Sequence, residues 1–166
     1  MSIDDVPVAH TPTGGYGDAF PAPVLAACAE PLPPGAPDLR GMWQVTAVEV
    51  AGAPAPKTHP VYRHFERVEQ SGDRLVVTAG GVIHDMRCDG TVQRGVHDVA
   101  QLDFETPITV VATYENGAHV LRPVGIPVEI TRRRDGADMI WEYVGFTARL
   151  RRIGGPDAPP PTTLRR

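Results

Sequence analysis

The sequence predicts an all-β protein, folded as a single antiparallel up-and-down β-barrel of eight to ten strands. Between residues 38 and 154, β-branched and aromatic residues alternate with polar ones in short runs, which is the period-two pattern of half-buried strands. Turn dipeptides such as Asn116-Gly117 and Asp135-Gly136 recur between these runs. A length of 166 residues and a hydrophobic fraction of 42% suit one domain with its own core.

Composition divides the chain into three segments. Residues 1–37 are rich in Pro, Gly and Ala, which predicts a partly disordered N-terminal arm. Within the arm, "PVLAACAEPL" at 23–32 carries an apolar patch that could pack on the folded body. Residues 38–154 form the predicted barrel. The last segment, 155–166, reads "GPDAPPPTTLRR" and is typical of a disordered tail.

Ten strands are expected along the barrel, and one stretch before the second of them has two interpretations. "HPVYRHFERVEQ" has Val61, Phe65 and Val68 at helical spacing after Pro60, so it would begin as a short helix and end as a strand. The strands are placed at 41–50, 66–71, 74–80, 82–88, 91–99, 107–115, 118–123, 127–134, 137–144 and 146–153.

The bulk properties narrow the class of partner. A formal net charge of -4 argues against nucleic acid, since phosphate binding needs a basic surface. The acidic start "MSIDDVPVAH" is unlike a signal peptide, and no apolar run approaches the ~20 residues of a membrane span. Two cysteines, Cys28 and Cys88, do not make a disulfide framework, so a cytoplasmic location is expected. A small-molecule ligand is the expected partner, and a homodimer stays open.

Hairpin register predicts which side chains share a face, because a two-residue turn fixes the pairing on both sides of it. If Asp89-Gly90 is such a turn, Asp85 lies opposite Arg94, and a charged pair of this kind belongs in solvent. The face that carries His84 and His97 then points into the barrel. The two imidazoles would be diagonal neighbours, with backbones roughly 7–8 Å apart.

The same arithmetic applied to the other hairpins predicts a mixed interior. Gly80-Gly81 pairs Val77 with His84, Asn116-Gly117 pairs Tyr114 with His119, and Asp135-Gly136 pairs Ile130 with Trp141. Alternation turns Glu66 inward, and His64 as well if the strand reaches that far. The predicted apolar lining is Val68, Leu75, Val77, Val82, Met86, Val128, Ile130 and Trp141. The predicted polar lining is Glu66, His84, His97, Tyr114, His119, Arg132 and Tyr143. Apolar walls with a few placed polar groups are typical of a ligand cavity.

The first predicted strand carries Gly41-Met42-Trp43, and a Gly-x-Trp opening followed by an antiparallel meander resembles the lipocalins and the wider calycin group. The resemblance spans about residues 38–154. It implies a central cavity and a tryptophan that closes the narrow end of the barrel against a basic residue of the last strand. "ARLRRIG" would supply that residue from Arg149, Arg151 or Arg152. The family's middle Thr-Asp-Tyr motif has no clear copy here, and "RLR" departs from the terminal Arg-x-Tyr of fatty-acid-binding relatives.

Two functions follow from the predicted cavity. The first is binding of a small, largely apolar molecule, with a predicted ligand-binding set of Val77, Met86, Tyr114, His119, Arg132, Trp141 and Tyr143. The second is an acid–base enzyme, of isomerase, cyclase or hydratase type, whose proton-transfer groups are His84, His97 and Glu66. In the second case burial would raise the pKa of Glu66 and let it share a proton with a histidine.

No cofactor is predicted, although two alternatives stay open. His84, His97 and Glu66 facing one space would be a three-ligand set for zinc or iron. Haem could be held by one of the interior histidines, as in the nitrobindin-type barrels that the calycin resemblance includes. Cys88 is predicted to be buried and inert, because a catalytic thiol needs a base beside it.

Overall fold

A computed structural model describes residues 1–161 and shows the predicted nearly closed antiparallel barrel. The strands are β1 Gly41–Val50, β2 Ala53–Pro54, β3 Phe65–Ser71, β4 Arg74–Ala79, β5 Val82–Arg87, β6 Val96–Val99, β7 Pro107–Glu115, β8 Ala118–Pro123, β9 Ile130–Asp135, β10 Asp138–Tyr143 and β11 Phe146–Gly154. Ten of them follow one another as an up-and-down meander, with the order β5-β4-β3-β1-β11-β10-β9-β8-β7-β6, while the short β2 pairs with β1. A 3-10 helix at Pro60–Arg63 precedes β3, as the mixed pattern of that stretch predicts.

The hairpins with Gly-Gly and Asn-Gly turns have the predicted register. Val77 pairs with His84 across β4 and β5, and Tyr114 pairs with His119 across β7 and β8. Both turns need backbone with positive φ, and Gly80, Gly81, Asn116 and Gly117 all adopt it. The hairpin of β9 and β10 differs by one position, because its turn is Gly136-Ala137, so Trp141 pairs with Arg132 instead of Ile130. The partner of Trp141 moves by two residues along the strand, and residues two apart lie on the same face. The residues that were predicted to point inward therefore still share a face.

The prediction of a hairpin at Asp89-Gly90 is wrong. Strand β6 begins only at Val96, and the chain before it forms turns. The reason is barrel closure. Asp89 bridges to Thr113, and the Gly90 amide donates to Ala112 O at 2.9 Å, so this segment joins β5 to β7. These contacts with β7 satisfy backbone N–H and C=O groups at the edge of the sheet, which a local hairpin at Asp89-Gly90 would leave unpaired.

One end of the barrel is filled by Trp43, which is fully buried and donates from Nε1 to Leu39 O at 2.8 Å. The cation over its ring is Arg134 of β9, with 5.6 Å from the guanidinium carbon to the ring centroid. The family resemblance implied a basic residue of the last strand, and this is corrected by the structure. Arg152 instead donates to Arg40 O, and Arg149 pairs with Asp135 and Asp138.

The N-terminal arm lies across the outer face of β3, β4 and β5. Polar side chains of these strands bind its backbone: Glu69 accepts from the amides of Val24 and Leu25 at 3.0 and 2.7 Å, and Ser71 Oγ accepts from the Glu30 amide at 2.8 Å. An extended Pro-rich segment offers many unpaired amides and carbonyls, and these strands supply the partners.

Asp85 does face outward, but the expectation that it meets Arg94 in solvent is wrong. The arm covers it, and its side chain is 1% exposed in an ion pair with Arg74. The guanidinium of Arg74 also donates to the carbonyls of Ile3, Val6 and Pro7. Sequence register could not show this, because the covering segment is about 70 residues away along the chain.

The C-terminal segment extends past β11 along the outside of β3. Arg67 Nε donates to Pro156 O at 2.6 Å, and its Nη1 donates to Pro21 O of the arm at the same distance. Of the predicted tail at 155–166, the part from 162 to 166 lies outside the described residues. Within residues 1–161, no helix is both long and apolar enough to cross a membrane.

Candidate functional site

The barrel interior holds a cavity of about 270 Å³, here called the inner chamber. A second cavity of about 560 Å³, the outer mouth, shares His64, Gln101, Leu102, Trp141 and Tyr143 with it and leads to the surface. The polar residues of the inner chamber are His64, His84, Gln101 and Arg132. Its apolar wall is formed by Val77, Ala79, Val82, Met86, Val96, Ala100, Leu102, Ile108, Val110, Leu121, Pro123, Ile126, Ile130 and Trp141. The predicted contacts Val77 and Met86 are therefore part of the wall.

A belt of polar and aromatic side chains crosses four adjacent strands at one level of the barrel. Tyr114 pairs with His119, His119 with Arg132, and Arg132 with Trp141. Directly paired residues point to the same side of a sheet, so all four side chains turn inward together. All four residues of the belt lie in strands, so the pairing register of the sheet fixes their positions and no loop contributes to them.

Glu66 on β3 is completely buried and forms a two-pronged ion pair with Arg132. Its Oε2 accepts from Arg132 Nε at 2.9 Å, and its Oε1 accepts from Nη2 at 3.0 Å. Burial raises the pKa of Glu66, but Arg132 and His64 outweigh it and hold that pKa at about 2. The expectation of a raised pKa is thus wrong, and Glu66 is an anion near neutral pH. It orients its neighbours and does not supply a proton.

His64, at the start of β3, completes the cluster. Its Nε2 lies 2.7 Å from Glu66 Oε1, and because the carboxylate is ionised, Nε2 donates. In the tautomer that carries its proton on Nε2, Nδ1 is the acceptor nitrogen, in a side chain that lines both cavities. A histidine held by a carboxylate in this way can accept a proton from a bound molecule. The candidate set from sequence omitted His64, although the alternation that turns Glu66 inward also predicted His64 to face in.

Trp141 is the aromatic centre of the site. His64 lies against one part of its ring, at 4.4 Å between centroids, and the Arg132 guanidinium carbon is 5.0 Å from the ring centroid. Phe146 and Tyr143 pack on its edges at 5.0 and 5.5 Å. Tyr143, a predicted inward ligand contact, is 45% exposed and forms the rim of the mouth. Trp141 Nε1 is buried with no hydrogen-bond partner within residues 1–161.

The structure separates the two histidines that the sequence placed together. His84 lines the inner chamber and donates from Nε2 to Val99 O at 3.0 Å, and burial lowers its pKa. His97 is exposed on the outside, where Nε2 donates to Val92 O at 2.7 Å. The prediction that His97 faces the cavity is wrong because it rested on the hairpin that does not form. His84, His97 and Glu66 therefore do not meet as metal ligands or as a proton-transfer set.

Tyr114 belongs to a separate polar contact deeper in the barrel. Gln70 Nε2 donates to its hydroxyl at 2.8 Å and to Pro37 O at 3.0 Å, while Gln70 Oε1 accepts from the Leu39 amide. Burial raises the pKa of Tyr114 and also that of Cys88 beside it. A neutral thiol and a neutral phenol pack as interior groups here.

Comparison with known proteins adds no name to this geometry. No family model matches the chain, and no curated protein matches it. Within residues 1–161, no three His, Cys, Asp or Glu side chains converge as a group that could hold a metal ion. The features of the chain that bear on function are therefore the cavity and the cluster of Glu66, Arg132, His64 and Trp141.

His119 gives a prediction about stability and pH. It is fully buried, and neither ring nitrogen has a hydrogen-bond partner in the described part of the chain. Burial, and next to it the charge of Arg132, lower its pKa to about 3 from 6.5. An unfolded chain takes up this proton below pH 6.5 and the folded chain does not, so acid destabilises the fold through this residue.

We expect His119→Leu to remove this pH dependence. At pH 7 the variant should be at least as stable as the wild type, since an unpaired polar ring is replaced by an apolar side chain. Between pH 6.5 and 4.5, above the titration of Glu66, the wild type should lose up to about 1.4 kcal/mol more per pH unit than the variant. Urea unfolding at several pH values measures this, and parallel pH profiles would contradict it.

Proposed function

We propose that the barrel binds a small, largely apolar molecule in the inner chamber, with entry through the outer mouth. The observation that carries the proposal is the chamber itself, an interior space of about 270 Å³ lined by fourteen apolar residues, by Tyr143 and by only four other polar ones. Its size lies near the lower end of the roughly 300–1,000 Å³ of small-molecule sites. A purely structural interior would be filled, because protein cores pack with few voids larger than a water molecule.

The calycin-like assignment belongs to the same proposal. The meander, the tryptophan on the first strand and a cation over its ring support it, although the cation comes from β9. In such an arrangement one end of the barrel is filled by side chains and the other is left open. The open end here is the outer mouth, which the Tyr143 and Phe146 rings border at 5.4 Å from each other.

The test is binding of N-phenyl-1-naphthylamine, an uncharged fluorescent probe whose emission rises in an apolar site. We expect saturable binding by the wild type. Ala100→Trp should weaken it by about tenfold or more, because Ala100 lines the inner chamber from a loop and a large ring there fills it. Val50→Trp is the matched control, since Val50 is 39% exposed at the end of β1. Equal binding by both variants would overturn the proposal.

Acid–base catalysis on a bound molecule is a second candidate, favoured by the 2.7 Å contact between His64 and Glu66. In this function the Nδ1 lone pair of His64 takes the proton, and Glu66 with Arg132 holds the imidazole in place. His64 thus takes the proton-transfer role that the sequence analysis assigned to His84, His97 and Glu66. For any substrate turned over by the protein, His64→Gln should lower turnover by ~10²–10⁴ while probe affinity stays within a few-fold.

A further inference from the structure

The charges around the inner chamber are balanced. Glu66 and Arg132, the ion pair of the cluster, neutralise each other through two hydrogen bonds. His84 and His119, the other interior histidines, have lowered pKa values because they are buried. A carboxylate that entered this space would be an unpaired buried charge next to Glu66, and unpaired buried charge is strongly disfavoured.

The chamber still offers a hydrogen-bond donor to an uncharged oxygen. Glu66 occupies Nε and Nη2 of Arg132, while Nη1 has no acceptor within residues 1–161. Arg132 lines the inner chamber, and its side chain keeps 6% exposure there. Guanidinium nitrogens only donate, so the group that suits this position is an acceptor.

Resting on the proposed binding function, we infer that the ligand is an uncharged molecule with an apolar body and one hydrogen-bond-accepting oxygen, as in a ketone, aldehyde or ester. The oxygen accepts from Arg132 Nη1, and the body lies along the valine, leucine and isoleucine wall. The Trp141 ring lies beside this donor, at 5.0 Å from its centroid to the Arg132 guanidinium carbon, and also lines the chamber. Fatty-acid-type carboxylates of the same shape are selected against by Glu66, which acts as a specificity-determining residue.

The experiment is competition for N-phenyl-1-naphthylamine by decan-2-one and by decanoate at pH 8, where decanoate is ionised. With the wild type we expect decan-2-one to displace the probe at a concentration at least about tenfold lower than decanoate does. Glu66→Gln removes the negative charge and leaves Arg132 as an uncompensated cation. In that variant the preference should shift towards decanoate, which gains about tenfold or more relative to the ketone.

The outcomes separate the two proposals. If the probe does not bind the wild type, the proposed binding function fails. If the probe binds and decanoate displaces it as well as decan-2-one does, only the inference about ligand charge is overturned. The wild-type comparison decides this even where Glu66→Gln does not fold. If Glu66→Gln folds and its preference is unchanged, Glu66 does not set the specificity and the inference is likewise overturned.

Discussion

Arg132→Met is expected to lower the free energy of unfolding by about 3–5 kcal/mol. The reason is that Glu66 is 0% exposed and loses the partner that accounts for two of its hydrogen bonds. Without Arg132, the buried Glu66 carboxylate would keep only its hydrogen bond with His64. It would then take up a proton, or the strands around it would separate so that water reaches the charge. Urea unfolding at pH 7 measures the change.

Two controls make this expectation specific. Arg133→Met removes the neighbouring arginine, which is exposed and only 3.6 Å from an equally exposed Glu142, and should cost less than about 1 kcal/mol. The double variant Glu66→Leu/Arg132→Met removes both charges, and it should recover most of the lost stability because apolar pairs often replace buried ion pairs at little cost. A double variant as unstable as Arg132→Met would show that the loss is one of packing and not of charge.

Asp85→Asn is expected to lower the free energy of unfolding by a similar amount, about 3–5 kcal/mol, because Asp85 joins the N-terminal arm to the barrel. Asp85 Oδ1 accepts from Arg74 Nε at 2.9 Å, and its Oδ2 accepts from Arg74 Nη2 at 2.6 Å and from the Ala9 amide at 2.9 Å. An asparagine there leaves the buried guanidinium uncompensated and presents an N–H to one of its donors. The arm should then loosen at residues 3–9, where Arg74 holds three carbonyls.

The measurement combines urea unfolding with limited chymotrypsin digestion, since Tyr16 and Leu25 in the arm are cleavage sites that no proline follows. Cleavage in the arm should become faster in Asp85→Asn at urea concentrations well below the unfolding transition. Asp18→Asn removes an exposed aspartate of the same arm and should leave both measurements unchanged. Faster cleavage without any loss of global stability would mean that the arm is not part of the cooperative fold.

The candidate site shows how far local sequence information reaches. Parity and turn chemistry placed Glu66, Arg132, Trp141 and His84 on inward faces, because two-residue alternation is a property of each strand by itself. The pairing of Glu66 with Arg132 was not predictable in the same way. The two residues are 66 positions apart, and only barrel closure brings β3 and β9 to face each other across the interior.

His97 and Asp85 show where the same arithmetic fails. Asp89-Gly90 has the chemistry of a tight turn, yet Gly90 binds Ala112 of β7, so the register assumed for His97 never forms. Asp85 does point to the outer face of the sheet as predicted, but its side chain is buried there because the N-terminal arm covers that face. A turn signal competes with every other partner that the folded chain presents, and its local preference of a few kcal/mol can be outweighed.

The sequence by itself determined the all-β class, most of the strand positions and the inward or outward sense of the residues in the hairpins that form, because period and turn type are local. The tertiary structure alone decided which charges are paired, which histidine stands beside Glu66 and which outer face the arm covers. These outcomes depend on contacts between segments far apart in sequence. Burial then sets their chemistry, since the same carboxyl that is predicted to gain a proton when alone is held ionised by a guanidinium 2.9 Å away.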